Sequence, residues 1–219
     1  RSLLNDPQVR WFLILAVGLV LLLIWHLMQT GLGFGEAVRQ ASFNGVSIMT
    51  GTGYVSANFS AWGGFATTIL LIVMFIGGCG GSTTCGIKVF RLQVLASTAK
   101  VQISRLLRPH AVVLAYYNKR PVSVEVMDSV MGFFYLFILG FVLIAIMLGM
   151  AGLDFVTALS GAATSISNVG PGLGEVIGAD GNFSTLPDSA KWIMSFAMLL
   201  GRLEIFTVLV MLNPAFWQR

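Results

Sequence analysis

The stretch "SFNGVSIMTGTGYVS", residues 42–56, decides how this chain is read. It is moderately apolar, too short to cross a bilayer, and ends in glycines and a tyrosine. With "GFGEAVRQA" before it, its first part reads as a helix of roughly 13 residues, on the order of 20 Å at 1.5 Å per residue. The part "TGTGYVS" cannot stay helical. In a membrane, non-helical backbone is tolerated only where protein buries it or where it lines a watery cavity.

The rest of the chain supplies the membrane. It is 56% hydrophobic and 10% charged, with a mean hydropathy of +0.85. Soluble domains carry about a quarter charged residues. Four apolar runs are long enough to span a ~30 Å hydrocarbon core as helices: 11–28, 62–78, 130–150 and 192–212. Trp11, Trp25, Trp62, Trp192 and Trp217 fall near run ends, where interfacial belts place tryptophan. The first run lacks a small-residue cleavage site and is followed by further spans, which excludes a signal peptide. Cys79 and Cys85 lack metal-ligand spacing and read as small buried residues.

Positive charge orients the spans. Arg1 and Arg10 precede the first run; Lys88, Arg91, Lys100, Arg105, Arg108, Lys119 and Arg120 lie between the second and third; Arg219 follows the fourth. The other two connections hold only Arg39 and Lys191 as cations, and the second of them carries Asp154, Glu175, Asp180 and Asp188. The positive-inside rule places both ends of this segment and the basic loop 88–120 in the cytoplasm. That loop spreads its charges along an amphipathic stretch, which fits a cytoplasmic flank beside anionic lipid headgroups and not nucleic-acid binding.

The opening pattern occurs twice. After the third run comes "LDFVTALSGAATSI", then "SNVGPGLG". Aligning Gly53 with Gly170 sets Thr50 on Ser167 and Ser47 on Thr164. The order span, half-helix, glycine strand, span is thus repeated, over residues 1–125 and 126–219, giving an all-α membrane protein of two tandem span–pore-helix–span repeats. A half-helix entering from outside directs its partly negative C-terminal end at the membrane interior, which favours a cation there. Glycine tolerates positive φ and lets carbonyls turn toward an axis, where they can replace the water around a dehydrated ion.

At "SIMTGTGYVS" and "TSISNVGPGLG" the chain resembles the degenerate filter loops of the Trk/Ktr superfamily of potassium transporters, in particular the TrkH type. The resemblance covers essentially all 219 residues. It implies a pseudo-fourfold pore built from four repeats, of which these are the third and fourth, so that the chain's own N-terminal half would lie upstream of Arg1. Two repeats alone cannot close a four-sided filter, so either that half or a second copy must complete it. It further implies that Thr50, Gly51, Thr52 and Gly53, with Ser167, Asn168, Val169 and Gly170, form the potassium-binding filter. Asn168 and Pro171 depart from the channel consensus.

Run two ends in "GGCGGSTTCGIKVFR", with five glycines among residues 77–86. The segment "GSTTCGIK" is not a nucleotide loop: Ile87 stands where the P-loop lysine must follow the second glycine, and an apolar helix precedes it in place of a strand. Two readings stay open from the residues. One is a kinked helix packed through small residues; the other is a flexible barrier below the filter. The family resemblance implies the second, with Gly77, Gly78, Gly80, Gly81, Ser82, Thr83, Thr84 and Gly86 as a gate and Lys88 snorkelling at its cytoplasmic edge. Arg202 sits about ten residues from each end of run four. At that depth a charge costs at least ~2.5 kcal/mol and needs a cavity or a partner. It either pairs with another helix or points below the filter at carbonyls of the glycine loop. Glu204, two residues on, faces elsewhere on a helix.

No carboxylate pair, metal cluster or nucleophile–base arrangement is visible, so no enzyme is expected, and His26 and His110 read as ordinary interface or loop residues. The expected function is potassium uptake by conduction across a bacterial cytoplasmic membrane, with potassium as the transported ion and no organic cofactor on this chain. The competing reading is a sodium- or proton-coupled symporter, which usually needs membrane-embedded acids; Glu204 is the one acid clearly inside a span. The resemblance also implies a homodimer docked on a cytosolic nucleotide-binding regulatory ring of the TrkA/KtrA kind.

Overall fold

The computed structural model describes residues 6–108, 113–118, 120–203, 205–212 and 214–217. Arg1, His110, Lys119, Glu204 and Arg219, named above, lie outside them. The described residues are mostly helical, and each half of the chain begins with a long helix followed by a short one.

In the first half, α1 (Pro7–Gln29) starts at Asp6, whose carboxylate accepts from Gln8 N at 2.8 Å, with Pro7 in the first turn. Both are favoured at a helix start, because they fill or remove donors the helix leaves unpaired. Leu19, Leu23 and Leu27 bury one face of α1 against α2 (Phe34–Met49), while Trp11, Ile14, Val17, Leu21 and Trp25 form an apolar stripe on the outer face. The chain returns through a 3-10 turn (Phe59–Trp62) to α3 (Gly64–Met74). Next come α4 (Val89–Leu107) and a small hairpin of β1 (Tyr116–Tyr117) and β2 (Arg120–Pro121), which Ser97 pins to α4 through both backbone groups of Tyr116.

The second half repeats this layout. A long helix, α5 (Val124–Met150), starts on Ser123, whose hydroxyl accepts from Val126 N at 3.4 Å. The short α6 (Phe155–Ser167) is buried on almost every side and starts on Asp154, which accepts from Thr157 N at 3.1 Å. After a second 3-10 turn (Phe183–Thr185) come α7 (Asp188–Arg202), α8 (Ile205–Leu212) and α9 (Pro214–Trp217).

Each half has its own hydrophobic cluster. Ala163, Val169 and Leu173 of the second half enter the first cluster, and Phe75 packs on both. The Phe75 ring meets those of Phe137 and Phe141 edge-on, at centroid distances of 6.0 and 4.9 Å. Such T-shaped pairs contribute ~0.5–1.5 kcal/mol beyond area burial.

Several expectations are corrected here. Only α1 and α5, with 23 and 27 residues, are long and apolar enough to cross a membrane as single helices among the described residues. Run two is helical only to Met74, because the glycine-rich segment stops it. Run four begins earlier, at Asp188, and α7 ends at Arg202, one residue past Gly201. The basic segment read as a loop is largely helix α4, with Val89, Val94 and Val101 buried. Trp62 is buried at 7% exposure and packs on Phe59; its carbonyl is 2.7 Å from His26 Nε2, so it is not an interfacial anchor.

Hydrogen bonding by Thr157, its side chain first and its backbone N–H in support, holds the exposed Asp154 carboxyl below the usual aspartate range. A lowered folded value means that this stabilisation is present at neutral pH and fades as pH falls through the acid range below ~3.9. Asp154→Ala is expected to remove ~1 kcal/mol of stability at pH 7, while Asp154→Asn, an equivalent cap, keeps it and loses the acid dependence. Thermal unfolding of the full-length protein at neutral and acid pH checks both.

Candidate functional site

The two short helices end in the same way. Gly51 N donates to Ile48 O at 3.2 Å and Thr52 N to Ser47 O at 3.0 Å; Asn168 N donates to Ser165 O at 3.2 Å and Val169 N to Thr164 O at 3.0 Å. These are the paired reverse bonds of a Schellman terminus, which require a left-handed residue just past the helix. That residue is Gly51 at φ +66° in one loop and Asn168 at φ +52° in the other. Two residues on, Gly53 and Gly170 are again at positive φ, +77° and +116°. All of these pairs lie in the register that aligns Gly53 with Gly170. Asn168 therefore departs from glycine in identity while keeping its conformation, since asparagine tolerates the left-handed region.

Each returning segment is also tied to its short helix by side-chain hydrogen bonds, at positions that match that register for Ser56 with Leu173 and Ser47 with Thr164 and are one residue off it for Asn44 with Ser160. Ser56 N donates to the buried Asn44 side chain at 3.0 Å, and Leu173 N to the buried Ser160 hydroxyl at 3.0 Å. Ser47 Oγ donates to Tyr54 O at 2.7 Å, and Thr164 Oγ1 accepts from Gly170 N at 3.0 Å. The two loops then meet backbone to backbone: a Cβ built on Gly53 would lie 2.6 Å from Val169 O and 3.5 Å from Gly170 Cα.

Below this junction, residues 77–86 form a closed loop. Ile76 and Ile87 bridge its neck in parallel, with Gly77 N on Ile87 O at 2.9 Å and Ile87 N on Phe75 O at 2.8 Å. A side chain at Gly77 would meet Cys85 O at 2.4 Å, so the neck closes only around glycine. Lys88 does not snorkel outward. Its ammonium folds back and donates to the carbonyls of Ser82, at 2.7 Å, and Thr84. Gln8 of α1 accepts from Gly80 N at 2.7 Å. From the far side, Arg202 Nη1 donates to Thr83 O at 2.6 Å and approaches Cys85 Sγ at 3.7 Å.

Thr50, Gly51 and Asn168 from the two turns, Thr83, Thr84 and Cys85 from the closed loop, and Arg202 line one polar void of about 150 Å³. Thr52, Gly53, Ser167, Val169 and Gly170 lie off this void. Ser167 is buried with Ser165, and neither hydroxyl has a hydrogen-bond partner among the described residues. A second cavity, about 300 Å³, lies on the other side of the closed loop and is lined by Gly81, Ser82, Gly86, Lys88, Arg91 and Phe133 among others. Gly77, Gly78 and Gly80 line neither; the first two build the neck, and Gly80 sits against Gln8 of α1. The sequence reading missed Gly201. A Cβ there would fall 1.9 Å from Ile166 O, so α7 touches α6 main chain to main chain. A glycine inside an apolar helix was the available signal of close approach. It also missed the Asn168 amide, which donates to Met198 O of α7 at 3.0 Å.

Hydroxyls, carbonyls and helix ends around a small void can hold or pass a small cation. Among the described residues no group of three or more His, Cys, Asp or Glu side chains is placed to hold a metal. The protein class so outlined is a helical protein with two long apolar helices and two short helices whose turned ends meet at a polar void. The model of the TrkH family, described as a cation transport protein, matches residues 1–219. The chain belongs to that family. It is 45% identical over its whole length to the Trk system potassium uptake protein TrkI of Halomonas elongata, and 35% identical over 98% of its length to the Trk system potassium uptake protein TrkH of Escherichia coli K12. It covers 44% of each of these relatives. The crystal structure of the potassium transporter TrkH from Vibrio parahaemolyticus superposes with a TM-score of 0.89 at 38% identity, over 97% of this chain and 45% of that one.

Gly53→Ala adds a 2.6 Å clash to a left-handed φ and is expected to destabilise by ~2–5 kcal/mol. At Gly51 an added Cβ meets nothing nearer than 3.6 Å, so Gly51→Asn, which suits the left-handed turn, is expected to cost clearly less. Thermal midpoints of the two full-length variants give the order; the reverse order would refute the matched-turn geometry.

Proposed function

We propose that this chain contributes two of the segments lining a potassium pathway across the bacterial cytoplasmic membrane. The remaining segments would come from chain beyond these 219 residues, as the length of the relatives supports. The observation that carries the reading is the 150 Å³ void, where both glycine turns, the closed loop and Arg202 converge. The long α1 and α5 bear apolar stripes that a bilayer would solvate. The short α2 and α6 serve as pore helices whose partly negative C-terminal ends point at the pathway.

In this reading the turns at 50–53 and 167–170 supply the peptide oxygens that replace the ion's hydration shell. Immediately below, the loop 77–86 crosses the pathway as a gate. It is latched by Lys88 from within and by Arg202 from α7. The Arg202 guanidinium opposes a permeating cation by charge and blocks it by holding Thr83. At ~4 Å, two unit charges at an effective dielectric near 20 interact by about 4 kcal/mol, enough to suppress passage by orders of magnitude. Both ends of the segment and α4 lie on the cytoplasmic side, where the cations of α4 face anionic lipid and a nucleotide-binding regulatory ring, and the full protein pairs as a homodimer.

Full-length protein in detergent is expected to melt at a higher temperature in potassium than in sodium at equal ionic strength; equal midpoints would remove the filter. Arg202→Ala is expected to raise potassium flux into liposomes at least tenfold under conditions where the parent protein is closed, as loss of a barrier of a few kcal/mol requires. Unchanged flux from a folded variant would remove the gate.

A further inference from the structure

We propose that Asn168 and Gly201 are positioning residues that join the second glycine turn to Arg202, so that the state of the filter is passed to the 77–86 loop through the last turn of α7. The inference rests on the pore reading above and adds a linkage between its two parts.

Three contacts form the chain. Asn168 Nδ2 donates to Met198 O at 3.0 Å. By the i→i−4 rule, that same carbonyl accepts the N–H of Arg202, so the asparagine grips the peptide that sets the height of the arginine. Gly201, the residue before Arg202, lies against Ile166 O, with room for no side chain, and 2.9 Å separates its would-be Cβ from Asn168 Nδ2. Arg202 in turn holds Thr83 O at 2.6 Å. The last turn of α7 is therefore fixed on one side to the filter turn and on the other to the gate.

The first turn offers no such link. Gly51 takes the same left-handed conformation as Asn168 but has no side chain with which to reach a neighbouring helix. A widening or collapse of the filter at Asn168 would displace Met198 O, and with it Arg202. The competing explanation is that asparagine is present only because the left-handed turn accepts it. Asn168→Gly separates the two, since glycine keeps the turn and removes the amide. Asn168→Asp separates them again: aspartate also tolerates the turn but cannot donate to a carbonyl.

Cys85 offers a readout independent of transport, because its sulfur lies 3.7 Å from Arg202 Nη1. The test uses full-length protein with Cys79→Ser and any other reactive thiol removed. The alkylation rate of Cys85 is measured beside potassium flux in liposomes for Asn168→Gly, Asn168→Asp, Arg202→Ala and the Asn168→Gly/Arg202→Ala double variant. A linkage of ordinary allosteric strength raises labelling roughly fivefold or more in each single variant. Flux in the closed condition rises with it, and the double variant exceeds neither single one, because the residues act in series. The proposal is overturned if both Asn168 variants fold and leave Cys85 labelling at the parent rate, or if the effects multiply in the double variant. If all variants raise labelling while none conducts potassium, the linkage stands and the pore reading fails.

Discussion

A helix that stops inside a protein leaves its last carbonyls unpaired and must reverse the chain at once. The whole arrangement depends on how this is met at the ends of α2 and α6. One left-handed residue, Gly51 or Asn168, lets its own amide and the next one fold back on the helix and frees the following peptides from helical geometry. Only then can the two turns approach so closely that Gly53 leaves no room for a β-carbon beside Val169 O. Burial of Asn44 and Ser160, each satisfied by the returning strand, keeps both turns in place. An unpaired buried polar group costs ~1–3 kcal/mol, so these side chains hold their strands firmly.

The closed loop 77–86 is the opposite kind of element. It has few apolar contacts, four glycines at or near its neck, and much of its surface is exposed. Besides the main-chain bonds of its neck and the Gln8 side chain at Gly80 N, two cations hold it: Lys88 and Arg202 donate to its carbonyls from two sides. Hydrogen bonds to a charged group contribute about 1.5–3 kcal/mol each, so such a latch can be released by moving one side chain without unfolding a core. This explains how an arginine can be accommodated near the middle of an apolar run. Its charge is met by peptide oxygens that the glycine-rich loop, being non-helical, leaves available.

Much of this was legible in the residues. The two glycine turns were visible from their spacing, and the alignment of Gly53 with Gly170 pairs positive φ with positive φ. The two long apolar helices, α1 and α5, were visible from hydropathy. The breaks were not placed correctly, because hydropathy is blind to where a helix stops: Phe75 and Ile76 are as apolar as the residues of α3 before them. The fold of Lys88 back onto Ser82 and Thr84 was missed for a related reason. A lysine beside an apolar run ordinarily reaches for water, and only the closed loop brings the Ser82 and Thr84 carbonyls within its reach. Gly201 and the Asn168 amide escaped notice because their partners, Ile166 O and Met198 O, are main-chain atoms and carry no sequence signature.

The two turns share a conformation and differ in what it is built from, and that difference has a direction. Glycine reaches the left-handed region at no steric cost, so a turn that needed only the bend would keep it, as Gly51 does. Asparagine occupies the region less readily and brings a donor, which in this chain finds a carbonyl on the helix that carries Arg202. A donor bound to Met198 O adds nothing to the turn itself, since both reverse bonds at 168 and 169 are made by main-chain amides. Its effect falls on α7. The second turn is thus fastened by a side chain to the element bearing the latch, while the first lines the same void but, at Gly51, has no side chain with which to reach α7. In the proposed pathway, the side-chain link from filter turn to gate loop described here therefore runs through the second turn and α7.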